Sequence, residues 1–271
     1  MAGDFLKHAI AVNCALVDDE HETELADARQ MLESDQELRN SSLANACAAG
    51  SFRAVARFLS DGASPVNSTG DLNHAPLVYV CFSRFLRDPD FAADLVETAR
   101  VLLISGADAN AGFLLDGNHE SCLYGACGVA NNAAMAELLL KHGADPNDGE
   151  TAYHVAEFEQ YDCIRVLFEN GMNTASQATV LLRKLDFDDI DGVRFILDLG
   201  ADPNEQGIWE KAALHQAIMR GRNKEIISLL IERGADVNQQ RGDGTSPLQL
   251  ARQHDRPEIV GLLLEAGARE S

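Results

Sequence analysis

Basic and aromatic residues are scarce in this chain of 271 residues. Lys and Arg together number 22 against 43 Asp and Glu, so the formal net charge is −21. This charge repels nucleic-acid backbones and anionic membrane surfaces, and it excludes both as expected partners. Aromatic residues make up only 6% of the chain. The core must therefore be built mainly from small aliphatic side chains, which suits closely packed helices.

The sequence also lacks the features of export and membrane insertion. Residues 1–20 carry Asp4 ahead of a short apolar stretch and have no small-residue cleavage site. No apolar run is long enough to span a bilayer. The six cysteines form no C-x-x-C pair, which predicts reduced thiols in a cytoplasmic protein. They are Cys14, Cys47, Cys81, Cys122, Cys127 and Cys163.

Motifs for catalysis, phosphate binding and metal binding are missing as well. There is no nucleophile motif, no glycine-rich phosphate loop and no HExxH. The segment 186–192 (DFDDIDG) lacks the spacing of a calcium loop and is interpreted as a solvated acidic turn. The chain is therefore expected to hold no metal and no cofactor, and not to be an enzyme.

What the sequence does contain is a repeated phrase: apolar residues, two polar ones, then Gly-Ala. The glycine suits a left-handed residue that closes a helix, and the following Asp, Pro and Asn suit a turn. Clear copies are 102–110 (LLISGADAN), 139–147 (LLKHGADPN), 196–204 (ILDLGADPN) and 230–238 (LIERGADVN), and weaker ones are 58–63, 167–173 and 263–268.

A second phrase precedes these copies, with Thr or Ser at a helix start and small residues after it. Examples are 245–251 (TSPLQLA), 212–217 (AALHQA), 121–127 (SCLYGAC) and 75–81 (APLVYVC). Together the two phrases resemble the ankyrin repeat, over about residues 41–268. Only His215 holds the family's histidine position, and there the resemblance implies hydrogen bonds to neighbouring turns.

The resemblance implies an all-α solenoid of helix pairs joined by β-turn or hairpin segments called fingers. About seven repeats are expected over residues 41–271, as one continuous solenoid. Residues 1–40 are expected to form a capping helix pair, with helices over Asp4–Val17 and Glu22–Ser34. Leu139 and Leu230 are expected to be buried in second helices, and the protein is expected to be a monomer.

The spacing of the closing glycines locates departures from the repeat. The last two intervals are 34 and 33 residues, whereas Gly62 to Gly106 takes 44, with the excess near 84–94 between the helices. The interval from Gly106 to Gly143 takes 37, mainly through a long finger. The next two take 28 and 29, which predicts two shortened fingers and a central notch with exposed first helices.

The candidate binding residues lie around this predicted notch, as exposed aromatic and apolar residues are common interface anchors. The alternative for the apolar finger residues is that they pack on the adjacent finger. The first-helix candidates are Tyr153, His154, Glu157, Phe158 and Phe187, and the finger candidates are Phe113, Leu114, Ile208 and Trp209.

The resemblance implies a module that binds another protein in the concave groove of fingers and first helices. An inhibitor, an immunity protein or a scaffold would all act in this way. The expected partner offers an apolar element with a basic rim that meets the acidic surface. Two alternatives remain open: a small-molecule or peptide-modifying site using His154 and Glu157, and a structural spacer with no specific site.

Overall fold

The computed structural model describes residues 2–11, 18–207 and 209–269. The chain forms two compact units, Met1–Val155 and Ala156–Ser271. Each unit is built from pairs of short helices joined by turns. No helix in the described ranges is both long and apolar enough to cross a membrane.

The first unit contains nine α-helices and one hairpin within its described residues. They are α1 (Ala2–Ala9), α2 (Asp18–Ser34), α3 (Leu43–Ala48), α4 (Phe52–Ser60), α5 (Pro76–Cys81), α6 (Ala92–Ile104), β1 (Gly112–Leu115), β2 (Asn118–Ser121), α7 (Cys122–Tyr124), α8 (Ala133–Lys141) and α9 (Glu150–His154). Short 3₁₀ turns cover Leu38–Asn40 and Arg84–Arg87, and a π turn, Gly125–Val129, continues α7.

The second unit begins near the end of a 3₁₀ turn, Val155–Glu157, that extends α9. Its helices repeat the same alternation of first and second helix. They are α10 (Asp162–Glu169), α11 (Thr174–Asp186), α12 (Ile190–Asp198), α13 (Ala213–Met219), α14 (Lys224–Glu232), α15 (Pro247–Gln253) and α16 (Pro257–Glu265).

The second helices end as the glycine phrases predict. All seven closing glycines adopt φ between 91° and 98°, in the left-handed region that favours glycine. A β-carbon at these positions would touch nothing. The glycines are therefore required by backbone conformation rather than by space.

The four first helices in the example copies of the second phrase begin in two ways. Ser121 and Ser246 accept hydrogen bonds from the third residue of α7 and α15, as predicted, and Ser246 forms a capping box with Gln249. Ala75 and Ala212 occupy the same position before α5 and α13 and offer no side-chain acceptor. The N-cap prediction therefore holds only where Ser is present.

The asparagine that ends three of the clear glycine phrases, at positions 110, 204 and 238, links neighbouring repeats. Asn204 Nδ2 donates to the Gly234 carbonyl at 2.9 Å, and its Oδ1 accepts from the Asp236 amide at 2.6 Å. Asn110 makes the same two contacts with Gly143 and Asp145, at 2.9 and 2.8 Å. Each pair satisfies a carbonyl at a helix end that the helix itself cannot satisfy.

The N-terminal helices pack on the residues inserted near 84–94. Phe5 of α1 stacks on Phe85 at a centroid distance of 6.4 Å, and both rings are fully buried. Arg29 of α2 forms an ion pair with Asp88, whose side chain is also buried. The inserted residues thus form a 3₁₀ turn and a lengthened α6, which provide a surface for the N-terminal pair.

The helix predicted over Asp4–Val17 does not continue through residues 10 and 11. Helix α1 ends at Ala9, and Ile10 pairs with Ser83 as an isolated antiparallel bridge. The amide of Ala11 then donates to the Phe82 carbonyl at 2.9 Å. This pairing takes the backbone out of the helix, and residues 12–17 lie outside the described ranges.

The spacing of the closing glycines predicts two short fingers, and both are short in the structure. Helix α9 starts at Glu150 soon after Gly143, and α11 starts at Thr174 directly after Gly171. In the second case a helical turn takes the place of the finger. Asn173 caps the helix through the Ser176 amide, so α11 gains an early first turn in place of the finger.

Leu139 of α8 and Leu230 of α14 are fully buried, as predicted. They represent a core made largely of Leu, Ala, Val and Ile. The buried aromatic residues of the described chain lie in the first unit, and they are Phe5, Tyr79, Phe82, Phe85 and Tyr124.

Candidate functional site

The long finger of the first unit is a β-hairpin. Strands β1 and β2 pair from Gly112 with Ser121 to Leu115 with Asn118. Asp116 and Gly117 have φ of 51° and 93°, as a two-residue hairpin turn with the twist of the strands requires. The sequence Asp-Gly is the common solution for such a turn, so the hairpin has a defined register.

The hairpin presents its two candidate residues differently. Phe113 is half-buried and packs against Phe82 and His74, with ring centroids at 4.9 and 4.8 Å. This is the packing alternative considered for the apolar finger residues. Leu114 points the other way along the strand and is 75% exposed. The structure therefore leaves Leu114 as the open apolar side chain of this finger.

The neighbouring finger, residues 63–75, is held by Tyr79. The Tyr79 hydroxyl donates to the Thr69 carbonyl at 2.6 Å, and Thr69 also pairs with His74 across the finger. Burial raises the pKa of Tyr79 and lowers that of His74. His74 is thus favoured in its neutral form where it stacks on Phe113.

The compressed finger 142–149 is tied to the base of the hairpin. Asp148 accepts hydrogen bonds from the Ser121 hydroxyl, and from the Thr151 amide and hydroxyl at 2.8 Å each. It therefore caps α9 and fixes this short connection against β2. The shortened finger is a closed, well-bonded turn.

Tyr153 and His154 lie on α9 and are half-buried. The His154 ring faces Tyr124 and Tyr153, with centroids at 5.2 and 4.9 Å. Its Nε2 lies 3.5 Å from a carboxyl oxygen of Glu150 on the same helix. The structure thus places both residues in an aromatic cluster on the first helix.

The other first-helix candidates lie in the second unit and line one cleft. Glu157, Phe158 and Phe187 border a cavity of about 620 Å³. Glu157 accepts from Arg183 at 3.1 Å, and the Arg183 guanidinium lies 4.8 Å from the Phe187 ring centroid. The remaining lining residues are Ala156, Glu159, Tyr161, Lys184, Asp188, Asp189 and Asp191.

The position of this cleft differs from the prediction. Phe158 follows the 3₁₀ turn that ends at Glu157, and Phe187 follows α11. Each residue therefore lies at the C-terminal end of a first helix, next to the turn that leads to the following second helix. Because α11 has 13 residues, Phe187 lies about 20 Å from the finger end of that helix. An opening exists at these residues, but it is not behind the shortened fingers.

A buried lysine organises the cleft. Lys184 is 1% exposed, and its Nζ donates to the Phe158 carbonyl at 2.6 Å and to Asp189 at 2.7 Å. The Tyr161 hydroxyl donates to Asp189 at 2.9 Å, and burial together with Asp189 raises the Tyr161 pKa. The pKa of Asp189 is lowered: desolvation opposes the charge, but the bonds from Lys184, Gly192 and Tyr161 outweigh it.

The acidic segment 186–192 is therefore only partly solvated, contrary to expectation. Asp186 has a side chain 8% exposed and pairs with Arg183 and Arg220, at 3.0 and 2.6 Å. Asp189 is held by Lys184. Of the four aspartates of this segment, only Asp188 and Asp191 are well exposed. Among the described residues no group of three or more His, Cys, Asp and Glu is arranged to hold a metal.

The last finger candidates are Ile208 and Trp209. Ile208 lies outside the described residues. Trp209 is half-buried, and Lys211 Nζ lies 5.1 Å from its ring centroid. Burial is the main cause of a lowered Lys211 pKa.

Sequence reasoning missed Tyr161, Arg183, Lys184 and Asp189. One available signal was that Lys184 stands in a run of helix-forming apolar residues, Val180 to Leu185, where a solvated lysine is out of place. His215, in contrast, is fully buried as the repeat position implies. Desolvation is the main cause of its lowered pKa. Neither ring nitrogen has a hydrogen-bond partner within the described residues, so the hydrogen bonds to neighbouring turns that the resemblance implies are not formed.

Comparison with known proteins shows the family to which the chain belongs. The family model described as ankyrin repeats (3 copies) matches residues 90–178 and 183–270. The chain belongs to the ankyrin repeat family. The predicted ankyrin-repeat fold is confirmed, and repeats of this family generally mediate protein–protein interaction as non-catalytic modules.

Two relatives are considerably longer than this chain. The chain is 26% identical to the E3 ubiquitin-protein ligase KEG of Arabidopsis thaliana over 89% of its own length and 17% of the relative. It is 32% identical to a putative ankyrin repeat protein of Rickettsia felis over 40% of the chain and 29% of that protein. It thus spans less than a third of either relative.

A solved structure supports the fold. The crystal structure of the human ASB11 ankyrin repeat domain matches with a TM-score of 0.60 and 24% sequence identity. The match covers 84% of this chain and 99% of the ASB11 chain. At this identity the similarity establishes the architecture alone.

Proposed function

We propose that this chain is a non-enzymatic module that binds another protein on its finger face. The finger face is defined as the fingers and the first helices that follow them. Such a module would serve equally as an inhibitor, an immunity protein or a scaffold. We place it in the cytoplasm as a monomer, with residues 1–40 capping the repeats. Neither nucleic acid nor membrane is expected to bind.

Leu114 carries this proposal. It is a large apolar side chain, 75% exposed, on a hairpin whose other face is packed through Phe113. The hairpin is also fixed at its base by Asp148. An apolar side chain held open on a rigid support loses little conformational entropy when a partner covers it, and this is typical of interface anchors.

The chemistry of His154 and Glu157 does not favour the alternative of a modifying site. His154 is turned into an aromatic cluster and paired with Glu150, and Glu157 accepts from Arg183. A carboxylate paired with arginine is a weak general base, because the guanidinium stabilises its charged form. We therefore keep protein binding as the proposed function.

The test compares Leu114→Asp with Ile104→Asp. Ile104 is 72% exposed but lies at the end of α6, a second helix outside the finger face. Cross-linking capture from the source cells is followed by mass spectrometry, and the partner is then purified. We expect one partner to be kept by wild type and Ile104→Asp and lost by Leu114→Asp, with Leu114→Ala weakening the purified complex about tenfold. Equal binding by both aspartate variants would disprove the finger-face site.

A further inference from the structure

The cleft of the second unit is a candidate for a separate binding site. It holds about 620 Å³, within the range of sites that accept small ligands or single side chains. Its apolar wall contains Phe158 and Phe187. Phe187 is 47% exposed and is the one aromatic residue among the large exposed hydrophobic residues of the described chain.

The walls of this cleft are fixed before anything binds. Arg183 covers one face of the Phe187 ring and is itself held by Glu157 and Asp186. Asp186 also pairs with Arg220, the residue that follows α13. The guanidinium that contacts the exposed aromatic ring is therefore held in place by a network of ion pairs. A preformed wall of this kind reduces the ordering cost of binding.

Lys184 fixes a second part of the cleft lining. Its ammonium joins the Phe158 carbonyl to Asp189, and Tyr161 adds a second bond to the same carboxylate. The only cation that lines the cleft is thus buried and already bonded within the described chain. It cannot neutralise an acidic ligand at the cleft mouth.

Exposed carboxylates at the opening of the cleft carry negative charge that neighbouring cations do not fully neutralise. Glu159 and Asp191 are exposed, and neither takes part in an ion pair within the described residues. Asp188 is 57% exposed, with a single arginine, Arg222, at 2.9 Å. Carboxylates beside an exposed aromatic ring are complementary to a cationic side chain next to an apolar one.

We propose that this cleft binds a partner segment in which an apolar residue is flanked by lysine or arginine. The apolar side chain lies against Phe158 and Phe187, and the cations meet Glu159, Asp188 and Asp191. The site is at the inter-helix end of the second unit and does not depend on Leu114. Failure of the finger-face proposal therefore leaves this one intact, and the reverse also holds.

The probe is a panel of short fluorescent peptides with a central Leu, Ile, Met or Phe between two arginines. Fluorescence anisotropy measures their binding to the full chain. Two control peptides replace the arginines by glutamates or the apolar residue by glycine. We expect saturable binding by at least one member of the panel and none by the controls. Failure of every panel member to saturate at about 1 mM, where binding is only about −4 kcal/mol, would overturn the proposal.

Matched variants separate the cleft from the general acidity of the chain. Phe187→Ala should weaken binding at least about tenfold, whereas Leu264→Ala, at a 40% exposed position on α16, should not change it. Glu159→Gln with Asp191→Asn should weaken it similarly. Glu169→Gln with Glu232→Gln removes the same charge elsewhere and should have little effect. Equal weakening by both double variants, or by Leu264→Ala and Phe187→Ala, would show that the cleft is not the site.

Discussion

Lys184 and Asp189 form an ion pair of 2.7 Å across the turn between α11 and α12, and the lysine side chain is 2% exposed. Asp189 also caps α12 by accepting from the Gly192 amide at 2.8 Å. One carboxylate thus neutralises a buried cation and starts a helix. The pair locks the inter-helix turn of this repeat.

Replacing Asp189 by Asn should lower the free energy of unfolding by about 3 kcal/mol, because Lys184 is left buried without a counter-charge. Asp191→Asn, two residues on and exposed, should cost well under about 1 kcal/mol. Chemical denaturation of both variants checks this. Equal losses would mean that charge on α12, rather than the buried pair, sets the stability.

The same pair predicts a dependence on pH. The pKa of Asp189 is lower in the folded chain than its ordinary value of 3.8, so its contribution is complete above that value and is lost as pH falls through the folded pKa. The difference in unfolding free energy between wild type and Asp189→Asn should therefore shrink below about pH 4. Parallel denaturation curves from pH 7 to the lowest pH at which both fold measure this. A constant difference would contradict it.

Leu139→Ala and Leu230→Ala should each destabilise the chain by about 2–5 kcal/mol, because both side chains are fully buried in second helices. Leu264→Ala makes the same chemical change at an exposed position of α16. It should cost about 0.5 kcal/mol or less. Urea denaturation compares the three, and losses near zero for Leu139 and Leu230 would contradict the repeat register.

Phe5→Ala should cost about 3–5 kcal/mol, because its fully buried ring joins the N-terminal helices to the inserted turn at Phe85. A double-mutant cycle with Phe85→Ala should show a coupling of about 0.5–1.5 kcal/mol. Phe58→Ala, half-buried on α4, serves as the uncoupled partner. Additive losses for Phe5 and Phe85 would mean that the rings do not stabilise each other.

The repeat was predictable because it rests on local rules. Gly106, Gly143 and their equivalents must adopt positive φ, and that requirement leaves a visible mark in the sequence. The sequence carries no comparable signal for the segments against which an inserted segment packs. Phe85 and Asp88 could be identified as extra residues, but their packing on α1 and α2 depends on tertiary contacts between distant segments.

The candidate site was predictable only in part for the same reason. Exposed Leu114 follows from strand alternation in a hairpin with a recognisable Asp-Gly turn. The cleft at Phe187 depends on where α11 ends, and its early start at Thr174 altered the expected finger. The bond between Lys184 and Asp189 joins a helix to the turn after it, and helix periodicity alone does not place two such residues together.

The cysteines should behave as buried thiols. Cys47, Cys81, Cys122, Cys127 and Cys163 are free and buried, and burial raises the pKa of Cys47 and Cys122. Thiol reagents act on the thiolate, so these residues should label slowly in the native chain. All six cysteines of the chain should react after unfolding. A melting temperature that falls with reductant or chelator would contradict this.

Asn204 should stabilise the junction between two repeats through both ends of its amide. Its Nδ2 donates to the Gly234 carbonyl and its Oδ1 accepts from the Asp236 amide. Asn204→Asp keeps the acceptor and loses the donor, and it places a carboxylate beside a carbonyl oxygen. We expect a loss of about 1–2 kcal/mol in unfolding free energy.

Gln206→Glu adds the same charge in the same finger, where the amide has only a 3.5 Å contact with the Gln240 carbonyl, so it should cost much less. Urea denaturation of both variants at low and high salt decides between a local bond and added net charge. Equal losses that vanish together at high salt would show that Asn204 acts only through charge.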